Sequence, residues 1–194
     1  MRSDFHKPIP TRFLIYLLSG KERKRTRSVY RWKKENYICP VEIVEGKGPG
    51  NSDLWDIAGA TWTAILDELF ENGLTTDTQV YLMWKMKANQ EITDLRGSQH
   101  IQRLLVEHNF DVVVQLLRGL TKEQKRFSEL HLTKSTEYRE RVKAACGYGT
   151  PMVAANGEEV RSVVSIFAKQ TRARILKQYE TTLYKELTAQ VKGA

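Results

Sequence analysis

The stretch FLIYLLSG, residues 13–20, decides how this chain is read. Six apolar residues are closed by Ser-Gly, and the seven that follow are KERKRTR. Pro10 stands before the run and Gly20 ends it, so Phe13–Leu18 is predicted as a buried β-strand. Outward from there, Ser28–Trp32 alternates Val29 and Arg31 with Tyr30 and Trp32, a second strand. Tyr37–Val44 is a third, interrupted by Pro40. KERKRTR then falls in the turn of a basic hairpin, where exposed cations also discourage edge-to-edge pairing.

The rest of the chain alternates helices with strands. GKGPGNS, residues 46–52, is a connecting loop: it lacks the Gly-Lys-Ser/Thr ending of a phosphate cradle, and Pro49 removes a backbone donor. A helix is expected over about 53–72, capped by Ser52 or Asp53. It carries Leu54, Ile57, Ala58, Thr61, Ile65 and Leu69 on one face and ends at Asn72-Gly73. Residues 79–86 read as a strand, 93–107 as a helix stopped by Asn109, and 110–117 as a fifth strand. Lys122–Ala145 reads as one or two helices. Residues 158–191 read as a long helix, with Val160, Val163, Val164, Phe167, Ile175, Leu176, Tyr179, Leu183, Leu187 and Val191 recurring at three and four. Such a helix packs on its own domain or pairs with a partner.

Charge is distributed unevenly over the 194 residues. Residues 1–35 hold 11 Lys/Arg against 3 Asp/Glu, residues 36–118 hold 6 against 12, and residues 119–194 hold 14 against 8, for a net charge of +8. A basic arm neutralises phosphates and releases counterions, which favours nucleic acid (RNA or DNA) or another polyanion as a partner. The candidate contacts are Lys21, Arg23, Lys24, Arg25, Arg27, Arg31, Lys33 and Lys34. Tyr30, Trp32 and Tyr37 stand among them. Aromatic residues interleaved with cations suit stacking on single-stranded bases, and the alternative is that these rings pack into the sheet. No run reaches the roughly 18 apolar residues of a membrane span, and MRSDFHKPIP lacks the apolar middle of a signal peptide. With Cys39 and Cys146 alone, no disulfide framework is expected and an intracellular setting, cytoplasmic or nuclear, is.

Other chemistry finds little support in the spacing. His6, His100, His108 and His131 are scattered, and two separated cysteines make no zinc cluster. Cys146 with His131 as base, or Ser19 as a nucleophile, lacks the surrounding pattern that would activate it.

The order strand-strand-strand-helix-strand-helix-strand-helix resembles that of the ribonuclease H-like superfamily, and local strings agree. FLIYLLSG looks like the family's first strand and DLWDIAGA like the start of its first helix. VYLMWKMKANQEI looks like its fourth strand and QKRFSELH like its last helix, over about residues 12–145. The resemblance implies an α/β fold with a five-stranded mixed sheet (β-β-β-α-β-α-β-α) and a long C-terminal helix. The implied domains are residues 1–146, a ribonuclease H-like domain with a basic N-terminal arm and hairpin; a linker, 147–157; and a helical extension, 158–194.

Enzymes of that family carry four carboxylates that hold two magnesium ions. Placed on this chain, the four positions are Leu18, Asp56, Lys85 and Ser128, so one carboxylate survives and a cation stands where a dication would bind. The resemblance therefore implies a degenerate, non-catalytic scaffold with no cofactor or metal, not an enzyme, that binds nucleic acid or anionic partners through its basic hairpin. One alternative is an assembly subunit, viral or ribonucleoprotein, using residues 158–191 to form a homo-oligomer or hold a protein partner. The other is a metal-dependent nuclease with displaced ligands such as Asp53, Asp56, Asp94 and Glu129.

Overall fold

The computed structural model describes residues 8–19, 26–42, 53–74, 97–124, 126–140 and 160–192. The elements in chain order are β1 (Ile9–Pro10), α1 (Thr11–Ser19), α2 (Thr26–Lys34), β2 (Leu54–Trp55), α3 (Ile57–Glu71), α4 (Gly97–Glu107), β3 (Val112–Leu120), β4 (Arg126–Lys134), β5 (Val160–Phe167) and α5 (Ala168–Lys192). They fall into two compact units. One comprises Met1–Ala64 with Gln170–Ala194, and the other Ile65–Lys169.

The expected five-stranded mixed sheet is not formed. The described strands make two sheets, a two-stranded β1-β2 and a three-stranded β4-β3-β5, and every pairing is antiparallel. The first two predicted strands are helices. In α1, Thr11, Leu14 and Ile15 are buried and Leu18 is half-buried, the i, i+3, i+4, i+7 stripe of a helix, while Arg12 and Tyr16 face outward. A six-residue apolar run has no period of its own. Here two consecutive leucines, good helix formers, and the addition of Thr11 and Arg12 decide for the helix. In α2, Val29 and Trp32 are the buried pair, three residues apart. Of the third predicted strand, the described residues 37–42 hold an isolated bridge: Leu54 N donates to the Glu42 carbonyl at 2.9 Å. Residues 79–86 lie outside the described residues.

Two predicted helical stretches are strands instead. Lys122–Ala145 contains β4, followed by a helical segment at 135–140, and the first part of 158–191 is β5. VRSVVSIF places four β-branched residues among eight, and their stiff side chains fit a pleated surface better than a helix. β3 is central, with Val112–Leu117 buried on both faces. The register against β4 runs from Val112↔Lys134 to Leu120↔Arg126. Against β5 it slips between Arg118 and Gly119, where Arg161 is the extra residue of a bulge.

Three helices end in the same way. At the close of α2, Tyr37 N donates to the Trp32 carbonyl (2.8 Å) and Asn36 N to that of Lys33 (3.0 Å), with Asn36 at φ 60°. After α3 the same pair of bonds joins Leu74 N to Leu69 O (2.9 Å) and Gly73 N to Phe70 O (3.0 Å). After α4 it joins Phe110 N to Leu105 O and Asn109 N to Val106 O. Each is a Schellman motif, in which a left-handed residue satisfies the orphan carbonyls of the last turn. In each, the residue after it is buried together with its partner in the helix. Asn72-Gly73 and Asn109 were both legible as stops. Gly73 sits at φ 84°, and a Cβ there would meet Arg118 Nη2 at 3.0 Å; Arg118 in turn donates to the Asn72 carbonyl. Gly73→Ala is therefore expected to lower stability by about 1–2 kcal/mol, read as a shift in urea midpoint at constant slope.

Among the described residues no helix is long and apolar enough to cross a membrane.

Candidate functional site

The sequence places its densest positive charge beside α2, and the helix sorts those residues by face. Val29 and Trp32 are each 1% exposed and anchor the inner side. Arg27, Tyr30, Arg31 and Lys34 follow one another at i, i+3, i+4 and i+7, and all four are exposed. The outer face thus presents three cations around one aromatic ring. None of the three cations forms an ion pair among the described residues. Arg31 and Lys34 also lie in the last turn, where the helix dipole favours positive charge.

Lys33 points elsewhere. Its Nζ lies 2.5 Å from Asp53 Oδ2, and the Asp53 side chain is 1% exposed against 31% for that of Lys33. Asp53 is held by its backbone as well. Its carbonyl accepts from both the amide and the hydroxyl of Thr11 (3.1 Å each), and the Thr11 hydroxyl accepts from Trp55 Nε1 at 2.9 Å. The second carboxylate oxygen, Oδ1, has no hydrogen-bond partner among the described residues. A buried anion joined to the rest of the unit at β1 and β2 thus fixes the C-terminal end of α2.

The chain leaving α2 is equally held. Trp62 Nε1, on α3, donates to the Tyr37 carbonyl at 2.8 Å. Burial pushes the Tyr37 phenol above its ordinary pKa; the Glu35 carboxylate, by its charge and by accepting the phenol's hydrogen bond, adds to this, and Arg31 opposes it. α3 starts beside this point. The Asp56 carboxylate accepts from the Gly59 amide at 2.6 Å, the N-cap of α3. A Cβ at Gly59 would meet the capping Asp56 Oδ1 at 3.1 Å, closer than an ordinary contact, whereas Trp55 and the Cys39 carbonyl, at 3.4 and 3.5 Å, would be in ordinary van der Waals contact.

The sequence-predicted positions separate accordingly. Lys21, Arg23, Lys24 and Arg25 lie outside the described residues, as do Lys85 and Asp94. Arg27, Arg31 and Lys34 come together, and Lys33 is taken by Asp53. Leu18 is half-buried in α1, Asp56 caps α3, and Ser128 pairs with Arg118 in the sheet, where Glu129 pairs with Leu117. Among the described residues no three His, Cys, Asp or Glu side chains gather as ion ligands. The first part of α5 is packed within its own unit: Thr171 and Ile175 are buried and Tyr179 sets its ring edge-on to Phe13, with centroids 5.1 Å apart.

Sequence alternation put Tyr30 and Trp32 on one side; the helix separates them, one outward and one inward. The signal that finds this is the i, i+3 pair Val29–Trp32 read against Arg27, Arg31 and Lys34. Compared with known proteins, the sequence matches no family model and no curated protein.

Proposed function

We propose that this chain binds nucleic acid through the outer face of α2, with Arg27, Arg31 and Lys34 contacting phosphate. The observation that supports this most directly is the sorting of α2 itself. Its apolar pair is buried, its one inward lysine is neutralised by Asp53, and three exposed cations have no carboxylate partner among the described residues. A cation already in an ion pair must lose that partner before it gains a phosphate, whereas these three exchange only water and counterions. In sequence, Lys21, Arg23, Lys24 and Arg25 lead directly into the helix and raise the local charge further. The reading assigns phosphate binding and no catalytic step.

The test is binding measured against salt. The full chain should bind single- and double-stranded oligonucleotides with a linear fall of log affinity against log salt concentration. Replacing Arg27, Arg31 and Lys34 together with Ala should flatten that slope by about 2, at roughly 0.7 per phosphate contact to a single strand. Lys122→Ala, an exposed cation in the β3–β4 turn, serves as the control and should leave the slope unchanged. Equal slopes for the triple variant and the parent would reject the assignment.

A further inference from the structure

We infer that Tyr30 is a base-stacking platform and that the α2 face takes single-stranded nucleic acid in preference to duplex, an inference that rests on the phosphate-binding reading above. Tyr30 is 52% exposed, the most exposed aromatic side chain among the described residues. Its ring stacks on no other ring there, and its hydroxyl has no hydrogen-bond partner there. Tyr16 on α1 is the useful contrast: it is 39% exposed, but Phe13 lies against it at 6.2 Å, so part of its surface is already spent on the fold.

The surroundings of Tyr30 match one kind of ligand. Arg27 lies one turn before it, Arg31 beside it and Lys34 one turn after, so cations flank the ring along the helix. From Arg27 to Lys34 the helix axis advances about 10 Å, a length over which a nucleotide and its flanking phosphates can be held with the base lying on the ring. In a duplex the base faces are covered by their neighbours, and a ring on the convex side of a helix meets only base edges and sugar. A single strand can turn one base out onto the tyrosine while its phosphates reach the two arginines and the lysine. Stacking of that kind tolerates any base, because every base has a π-face, and neighbouring guanidinium groups strengthen it.

Fluorescence anisotropy on the full chain tests this with four labelled probes of equal length: an oligouridylate, an oligothymidylate, an abasic strand of the same charge and a duplex. The two base-bearing single strands should bind at least tenfold more tightly than the abasic strand and more tightly than the duplex. Tyr30→Ala should weaken binding of the base-bearing strands by about 5- to 100-fold, as loss of one stacked base does, with the salt slope unchanged. Tyr30→Phe should keep most of the affinity, since the ring and not the hydroxyl does the stacking. Because Tyr30 is exposed, both variants should keep the circular dichroism and thermal midpoint of the parent. If Tyr30→Ala binds like the parent, or the abasic strand or duplex binds as well as the base-bearing strands, stacking is wrong while phosphate contact stands. If none of the four probes is bound at low salt, both readings fall together.

Discussion

Lys33→Ala is expected to destabilise the protein by about 2–4 kcal/mol, most of it arising at Asp53. Removing one partner of a buried ion pair leaves the other charge without compensation, a loss of about 3–5 kcal/mol when both groups are fully buried. The lysine side chain is 31% exposed, so water screens part of the attraction and the lower range applies. The aspartate is 1% exposed, and its Oδ1 has no hydrogen-bond partner among the described residues, so the Lys33 bond is the contact its carboxylate relies on. The cause can be separated from simple loss of a side chain. Lys33→Met keeps the aliphatic stem, so it should be nearly as damaging as Lys33→Ala. Lys33→Met combined with Asp53→Asn removes the stranded charge and should recover at least half of the loss. Urea unfolding followed by circular dichroism reads all three variants. A loss below about 1 kcal/mol for Lys33→Ala would mean that the pair behaves as an ordinary exposed one and does not fix α2.

That pair also shows why part of the site could not be seen in the sequence. Lys33 and Asp53 are 20 residues apart, and nothing local to either distinguishes Lys33 from Lys34. Only the helical turn sends one inward and the other out. The residue types are legible: charge marks the basic stretch, aromatics interleave with it, and Arg27, Arg31 and Lys34 remain in the candidate site. Their arrangement was not, because five residues of apparent alternation fit a strand as well as an i, i+3 helical pair. The same ambiguity governs the fold. α3 was legible because 15 residues give its period room to repeat and Asn72-Gly73 supplies a stop. β3 was legible through Val112, Val113 and Val114, and the end of α4 through Asn109. β5 was hidden because Val160, Val163, Val164 and Phe167 satisfy a helical spacing by coincidence, and what makes them a strand is pairing with β3, far away in sequence. Once the stretch 13–18 is a helix, the three-strand opening is lost and the order that suggested a five-stranded sheet goes with it.

Trp62→Ala is expected to cost about 3–5 kcal/mol. The indole is 1% exposed on the inner side of α3, so truncation removes its packing and opens a cavity in a close-packed core. Packing is only part of its role. Trp62 Nε1 donates to the Tyr37 carbonyl immediately beyond the Schellman turn that ends α2, so the same side chain that fills the core also fastens the exit of the candidate binding helix. Trp62→Phe separates the two contributions: it retains much of the apolar volume but removes the donor, leaving a buried carbonyl unpaired, and should cost about 1–3 kcal/mol. Circular dichroism in urea measures both variants without depending on tryptophan emission. The order Ala worse than Phe, and both worse than the parent at unchanged slope, is the expected result. If Trp62→Phe matched the parent, the Tyr37 carbonyl would have to find water or another donor in the native state, and α2 would be held by Val29, Trp32 and the Lys33–Asp53 pair without help from α3.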